Sequence, residues 1–345
     1  MTRPLRVGFV TADGATRASS RVRVLQYLPL LGTLGVEART VAWGTSAGRA
    51  ARARRVPDVL RLARWADVVV LQKPFQPVPV LRAVAAAARA VVIDVDDAVW
   101  EPAGESRDPA ALAAARLERL RVAVRASQVT VAGSAWLARR IGELIPGAAT
   151  AVVPSSVDLD RYERVRTHED RRPVRVGWIG SPVNLADLDV AAGALAALTP
   201  DRARVVVISS RAPTLTGVDV AFVPWAPDTE LDALCDLDVG IMPLHDDERS
   251  RGRCGYKALQ YLACGVPVVA SPVGGSAEIL GAVPCGSYAA DDAAWRRALG
   301  DLAGDPVRRA AAGAAGRAHV EAHYSIQANV EALVRVLDDA AGRRS

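Results

Sequence analysis

Lysine is nearly absent from this chain. Of its 43 basic residues only Lys73 and Lys257 are lysines, and the rest are arginine. With the abundance of alanine this reads as a compositional bias of the genome, and it draws attention to the two lysines that remain. Cysteine is scarce too. Cys235, Cys254, Cys264 and Cys285 follow one another at spacings of 19, 10 and 21. Those spacings match no metal-ligand pattern, and no secreted disulfide framework is suggested, so a reducing compartment is expected. No uncharged apolar run approaches the roughly 18–20 residues that span a bilayer. The opening MTRPLRVGFV runs straight into a strand-like segment without the apolar core of a signal peptide. The expected location is therefore cytoplasmic, with membrane association left open.

What is present is a large apolar fraction. Half of the 345 residues are hydrophobic, enough for a sizeable core and for two domains of ordinary size. Charge is divided unevenly. Residues 1–165 carry 24 Arg and Lys against 15 Asp and Glu, whereas residues 166–345 carry 19 against 23. The basic half, with Arg49, Arg52, Arg54, Arg55, Arg61 and Arg64 in one run, suits either an anionic surface or a solvated helix face. No nucleic-acid motif accompanies it, so nucleic acid is not an expected partner.

Periodicity alternates between strand and helix. Arg6–Val10 reads as a strand, followed by a polar loop with Arg17, Ser19 and Ser20, then a helix over 21–35 with Val22, Leu25, Leu28 and Leu31 on one face. Strands follow near 36–41, 67–71, 91–93, 128–132 and 151–154, with helices between. Such alternation predicts a doubly wound parallel sheet. The polar HEDRRP at 168–173 reads as a linker, after which Val174–Ile179 (VRVGWI) restarts the design of RVGFV. Two tandem Rossmann-like domains are expected, over 1–167 and 174–325, the second with a helix over 185–198. A last helix over 326–345 is expected to return to the first domain.

The stretch from Arg251 to Leu280, RGRCGYKALQYLACGVPVVASPVGGSAEIL, carries the most chemistry. Arg251, Arg253 and Lys257 bring positive charge to a turn holding Gly252, Cys254 and Gly255. A helix near 256–263 directs its N-terminal amides and positive dipole end at that turn, an arrangement suited to an anion. Cys264-Gly265 ends the helix, Val266–Ala270 is a buried strand, and Gly274-Gly275 opens a second turn with Glu278 beyond it.

This stretch resembles the nucleotide-sugar signature of GT-B glycosyltransferases, in particular the retaining family-four branch; LACGVPVVASPVGG with a trailing Glu carries the likeness. The resemblance implies an α/β GT-B fold: two Rossmann-like, doubly wound parallel-sheet domains facing a cleft. The first would bind the acceptor and the second a nucleoside-diphosphate sugar. It implies no cofactor and no metal. Lys257 and Arg253 would stabilise the leaving diphosphate. Arg251, Cys254, Gly255, Gly274, Gly275, Glu278 and the Gly180-Ser181 loop would surround the nucleotide. The family's usual pair of glutamates is missing: Gly252 and Gln260 stand in their places. Gln260 can still meet ribose hydroxyls through its amide, more weakly than a carboxylate, but Gly252 has no side chain for the sugar. The sugar, the base and the acceptor (a glycan, a lipid-linked group or a small natural product) stay open. Trp225 is as consistent with a core role as with stacking on the base.

Asp94, Asp96 and Asp97 admit two readings. Asp94-x-Asp96 at a strand end has the spacing for a divalent metal, since alternate side chains share a face. In a GT-B fold Asp96 and Asp97 would instead face the acceptor at the cleft. No histidine lies in the first domain, where the resemblance would place the base of an inverting member, so the resemblance implies a retaining reaction in which the leaving phosphate takes the acceptor's proton. The alternatives are a metal-dependent transferase built on Asp94 and Asp96, and a non-enzymatic sugar-nucleotide-binding or partner subunit.

Overall fold

The structure is a computed structural model, and it describes residues 3–343 apart from Thr16, Ser46, residues 103–106, residues 199–201 and Ala282. The chain divides into two compact units, Met1–Ser156 with Ile326–Ser345, and Val157–Ser325.

Each unit is built on a six-stranded parallel sheet. In the first, β1 (Leu5–Thr11), β2 (Val36–Ala42), β3 (Val68–Gln72), β4 (Val91–Val95), β5 (Val129–Ala132) and β6 (Thr150–Val152) lie in the order β2-β1-β3-β4-β5-β6. In the second, β7 (Val174–Ile179), β8 (Ala203–Ser209), β9 (Val220–Pro224), β10 (Val239–Met242), β11 (Val268–Ala270) and β12 (Gly286–Tyr288) lie in the order β12-β11-β10-β7-β8-β9. β3, β4, β10 and β11 are buried at every residue, which is why they read as unbroken β-branched runs rather than alternating ones. The order reverses between β1 and β3 in one sheet and between β7 and β10 in the other. Ligands of open α/β sheets bind outside the carboxyl ends of strands at such reversals.

Helices cover the sheets. In the second unit, Leu188, Leu195, Trp295 and Leu299 form a core with β7 and β8, while Leu234, Leu259, Leu262 and Ile279 form another. In the first, the helix Ile326–Ala340 buries Ile326, Val330, Leu333 and Leu337 in the same core as Val7, Phe9 and Val70. Its apolar residues recur at helical spacing, so one stripe reaches the sheet.

Three expectations are corrected. The helix expected over 21–35 is broken into Ala18–Arg23, a 3₁₀ turn Leu25–Tyr27, and Leu28–Thr33. Pro29 has no N–H to donate and enters only at the start of the last piece. Val22, Val24, Tyr27 and Leu31 are the buried apolar residues as a result, and Leu25 and Leu28 are only partly covered. The helix expected over 185–198 is a 3₁₀ segment Pro182–Ala191 running into the short helix Ala192–Ala196.

The charged segment before β7 is not a free linker. Arg166 and Arg171 both donate to the fully buried Asp238, each at 2.8 Å. His168 Nε2 meets the Gly265 carbonyl at 2.8 Å, and Arg309 donates to the Glu169 carbonyl at 3.3 Å. Residues 157–173 thereby belong to the second unit. Asp238 feels burial, which alone would raise its pKa; the Arg175 amide and the Arg171 and Arg166 guanidinium groups outweigh it and hold the carboxyl below its ordinary value.

Candidate nucleotide site

β7 ends at Ile179, and Gly180-Ser181 leads into the 3₁₀ segment. Gly180 is enforced by its neighbours: a Cβ there would lie 2.4 Å from the Trp178 ring and 3.1 Å from Lys257 Cε. Lys257, in the first turn of the helix Tyr256–Ala263, holds its ammonium 4.4 Å from the centroid of the Trp178 ring. Trp178 is completely buried, so the ammonium rests on an apolar π face at the carboxyl end of β7. The last lysine of the sequence therefore stands at the strand-order reversal of the second sheet.

The other basic residues have internal partners. Arg253 donates to Asp187 and, at 3.0 Å, to Asn184 Oδ1, and it is the mostly buried Asp187 that balances its charge. Arg249 reaches the same Asn184 oxygen at 2.9 Å. Arg253, expected to meet phosphate, thus ties its turn to the 3₁₀ segment. Arg251 lies on a short helix, Glu248–Arg251, not in a loop, and pairs with Asp246 on the surface.

The two glycine turns meet each other. Gly255 has φ +70° and caps its helix in a left-handed conformation; a Cβ would be 2.6 Å from Ile279 Cδ1 and 2.9 Å from the backbone of Gly275 and Ser276. Gly274 has φ +66°, and the Gly275 amide donates to the Arg253 carbonyl at 2.6 Å. Small residues here serve first to let backbone pass backbone. Cys254 is buried in the same contact. Glu278 is exposed on the following helix, Gly275–Leu280. All four cysteines are free and buried, and burial pushes the Cys285 thiol up to about 11. Among the described residues no group of His, Cys, Asp or Glu is arranged to hold a metal ion.

Gln260 is the largest departure from expectation. It is buried, and its amide nitrogen donates inward to Tyr162 and Glu230, both at 3.3 Å. Glu230, at the start of the helix Glu230–Cys235, also accepts from Trp225 Nε1 at 2.6 Å. A carboxylate therefore does lie beside position 260, contributed by another element. Sequence reading missed Glu230, since nothing local marks a residue whose partner is 30 positions away.

The corresponding end of the first sheet is filled with paired charge. Arg23 makes a two-pronged bond to Asp94 (2.5 Å at its closest) and donates to the Val153 carbonyl at 2.8 Å. Lys73, whose φ is +50°, bridges Asp96 at 2.9 Å and Asp97 at 2.5 Å. Burial alone would lower the Lys73 pKa; the two carboxylates override it and raise it strongly. Ser19 donates to Asp96 at 3.1 Å, and Gln72 accepts from the Ala12 amide and from Ser20. Arg17 lies outside, 3.5 Å from Asp13. Asp94 and Asp96, which share strand spacing, are each engaged by a different cation.

Comparison with known proteins finds a match in the second unit. Residues 173–305 match the family model described as Glycosyl transferases group 1. The match covers 133 of the 345 residues. A GDP-mannose-dependent monoacylated alpha-(1-6)-phosphatidylinositol monomannoside mannosyltransferase of Corynebacterium glutamicum is 39% identical over 117 residues. That stretch is 31% of this chain and spans only 29% of the relative. Among solved structures, sucrose-phosphate synthase of Thermosynechococcus elongatus superposes with a TM-score of 0.77 at 13% identity, covering 99% of this chain and all of that one. Anabaena HepE in complex with UDP gives 0.70 at 14% identity, covering 97% of this chain and 100% of its own. The chain accordingly has the GT-B fold. Within the matched residues, Lys257, Trp178 and Gly180 lie at the carboxyl end of β7.

Proposed function

We propose that the protein is a glycosyltransferase that moves a sugar from a nucleoside-diphosphate sugar to an acceptor, with retention of anomeric configuration and without a metal. The observation that carries this reading is Lys257, set by Trp178 and Gly180 at the strand-order reversal of a glycosyl transferases group 1 domain. A diphosphate leaving group gains negative charge as the glycosidic bond breaks. A lysine ammonium and the first amides of the helix Tyr256–Ala263 stabilise that charge. Retention follows if the departing phosphate takes the acceptor's proton on the face it leaves. Metal independence is supported by Asp94 and Asp96, whose carboxylates are neutralised by Arg23 and Lys73. The relatives include a GDP-mannose enzyme and a UDP-binding protein, so either base remains within the reading.

The first unit is assigned the acceptor. Its arginines at 49, 54, 61 and 64 are exposed, and contact with an anionic surface is part of this reading. Arg55, by contrast, is turned inward onto the Ala42 carbonyl. Among the described residues no helix is long and apolar enough to cross a membrane.

Thermal unfolding with UDP-glucose, GDP-mannose and other donors tests the proposal, since a ligand bound to the native state raises the midpoint by mass action. At least one donor is expected to raise it and to be turned over equally well in EDTA, with the product's anomeric configuration retained by NMR. No stabilisation by any nucleotide sugar would overturn the donor reading; an inverted product would overturn retention.

A further inference from the structure

Two tryptophans meet at the carboxyl end of the first sheet, beside its charged cluster. Trp100 lies in the turn that follows β4. There the Val99 amide donates to the Asp97 carbonyl at 2.7 Å and the Glu101 amide to the Ala98 carbonyl at 2.9 Å. Trp136 stands in the first turn of the helix Ala135–Leu144, which follows β5 and is capped by Ser134, whose hydroxyl accepts from the Leu137 amide at 3.2 Å. β4 and β5 are neighbours in the sheet, and the Gly133 amide donates to the Val95 carbonyl at 2.9 Å. The two rings thus come from adjacent strand ends. Their centroids are 6.5 Å apart and their planes 20° from parallel. Trp100 is buried, whereas Trp136 is half-buried. An offset stack of this kind is favourable, and it holds the outer ring against the inner one.

The polar half of this corner comes from the same turn. The Asp97 side chain is 49% exposed, and Lys73 holds its carboxylate at 2.5 Å. Lys73 is the one non-glycine at positive φ among the described residues. Backbone strain kept at a polar cluster marks a place where geometry serves more than packing. The cations Arg23 and Lys73 are already bound to carboxylates, Arg23 to Asp94 and Lys73 to Asp96 and Asp97. Such a corner suits a neutral ligand that donates hydrogen bonds, not a phosphate. A carboxylate can only accept, and an aromatic face takes an apolar surface. A pyranose ring offers both: hydroxyls that donate, and a face of axial C–H groups that packs on an indole. A lipid chain would use the ring and leave the carboxylate unanswered.

We propose that this corner takes a sugar ring of the acceptor, stacked on Trp136 and hydrogen-bonded to Asp97, so that the acceptor is a glycoside or glycan. The inference rests on the glycosyltransferase reading above and narrows its open acceptor to a sugar. Trp136 is the specificity-determining contact.

The test is ligand-observed NMR titration of the full chain with the methyl pyranosides of glucose, mannose and galactose, with and without UDP or GDP, and with octanol as the apolar probe. At least one pyranoside is expected to bind, and more tightly than octanol. Trp136→Ala and Trp136→Leu are each expected to weaken it about tenfold, whereas Trp136→Phe stays within about threefold, because only a ring restores the stack. The leucine and phenylalanine variants keep apolar bulk at the position, so their difference reads stacking and not loss of fold. Asp97→Asn is expected to weaken the pyranoside about fivefold. UDP or GDP affinity, by calorimetry, stays within about twofold in all four variants. No binding of any pyranoside, undiminished binding in Trp136→Ala, or leucine serving as well as phenylalanine would overturn the inference and leave the donor reading standing. A wild-type chain that binds no nucleotide would bring down the donor reading, and with it the acceptor role of this corner.

Discussion

The two sheets are both six-stranded and parallel but differ in strand order, and they end in different chemistry. At the reversal of the first, cation and carboxylate are matched within the protein: Arg23 with Asp94, Lys73 with Asp96 and Asp97. At the reversal of the second, Lys257 lies against the Trp178 ring, and a Cβ at Gly180 would collide with that ring. One end is electrostatically complete. The other sets its lysine against an aromatic face beside two glycine turns. The same kind of fold thus carries different chemistry at its two ends.

That contrast can be broken most severely in the first unit. Arg23→Ala strands the Asp94 carboxylate in a buried site, and removing one partner of such a pair costs about 3–5 kcal/mol. Urea unfolding should show that loss. Nucleotide affinity, measured below the unfolding transition, should stay as it is; a parallel loss of affinity would mean that the two ends are not chemically separate.

Gly275→Ala attacks the second end through its backbone. The new Cβ would lie 2.5 Å from the carbonyl carbon of Cys254, and neither backbone can yield as a side-chain tip would. Overpacking of this kind costs about 1–3 kcal/mol, and here the glycine turns should separate and nucleotide binding should fall with stability. Full affinity in this variant would show that contact between the turns is dispensable.

A smaller, pH-dependent effect sharpens the assignment of residues 157–173 to the second unit. Asp238 is held below its ordinary pKa, so the unfolded chain binds a proton there more readily than the native one. Its stabilisation is present above about pH 4, the usual aspartate range, and is lost as pH falls through the native value. His168 works in a higher window. Burial lowers its pKa, opposed by the Gly265 carbonyl, so its contribution is lost as pH falls below about 6.5. Urea unfolding of Asp238→Asn should lack the acid-side slope of the wild type below pH 4; an unchanged slope would remove the ion pairs from the explanation. Smallest of all, Arg251→Ala should leave the unfolding midpoint unchanged, because its pair with Asp246 is solvent-exposed and screened.

Much of the fold was legible because buried parallel strands announce themselves. VVVLQ and VVIDV at β3 and β4 have few other uses, and the repeat of RVGFV in VRVGWI marks a second sheet. Helix breaks were harder to see: Pro29 signals one, whereas the 3₁₀ course of Pro182–Ala191 has no local cause beyond its opening proline. The site was legible as a neighbourhood, from glycine turns and a rare lysine, but not as a set of partners. Arg253 looked like a phosphate ligand because Asp187 is 66 residues away in sequence. Likewise Gln260 looked like a ribose ligand because Glu230 and Tyr162 come from other elements. Trp178 was visible only as a strand residue. Pairing at such separations is decided by topology, and single-sequence patterns carry no record of it.

The most direct measurement is calorimetric titration of nucleoside diphosphate and its sugar conjugate into the wild-type chain and Lys257→Ala. Loss of a charge-assisted contact to phosphate is worth about 1.5–3 kcal/mol, so affinity should fall by roughly 10- to 100-fold or more. The unfolding midpoint should stay near that of the wild type, since Lys257 is only half-buried. Unchanged nucleotide affinity in a folded Lys257→Ala protein would contradict the account.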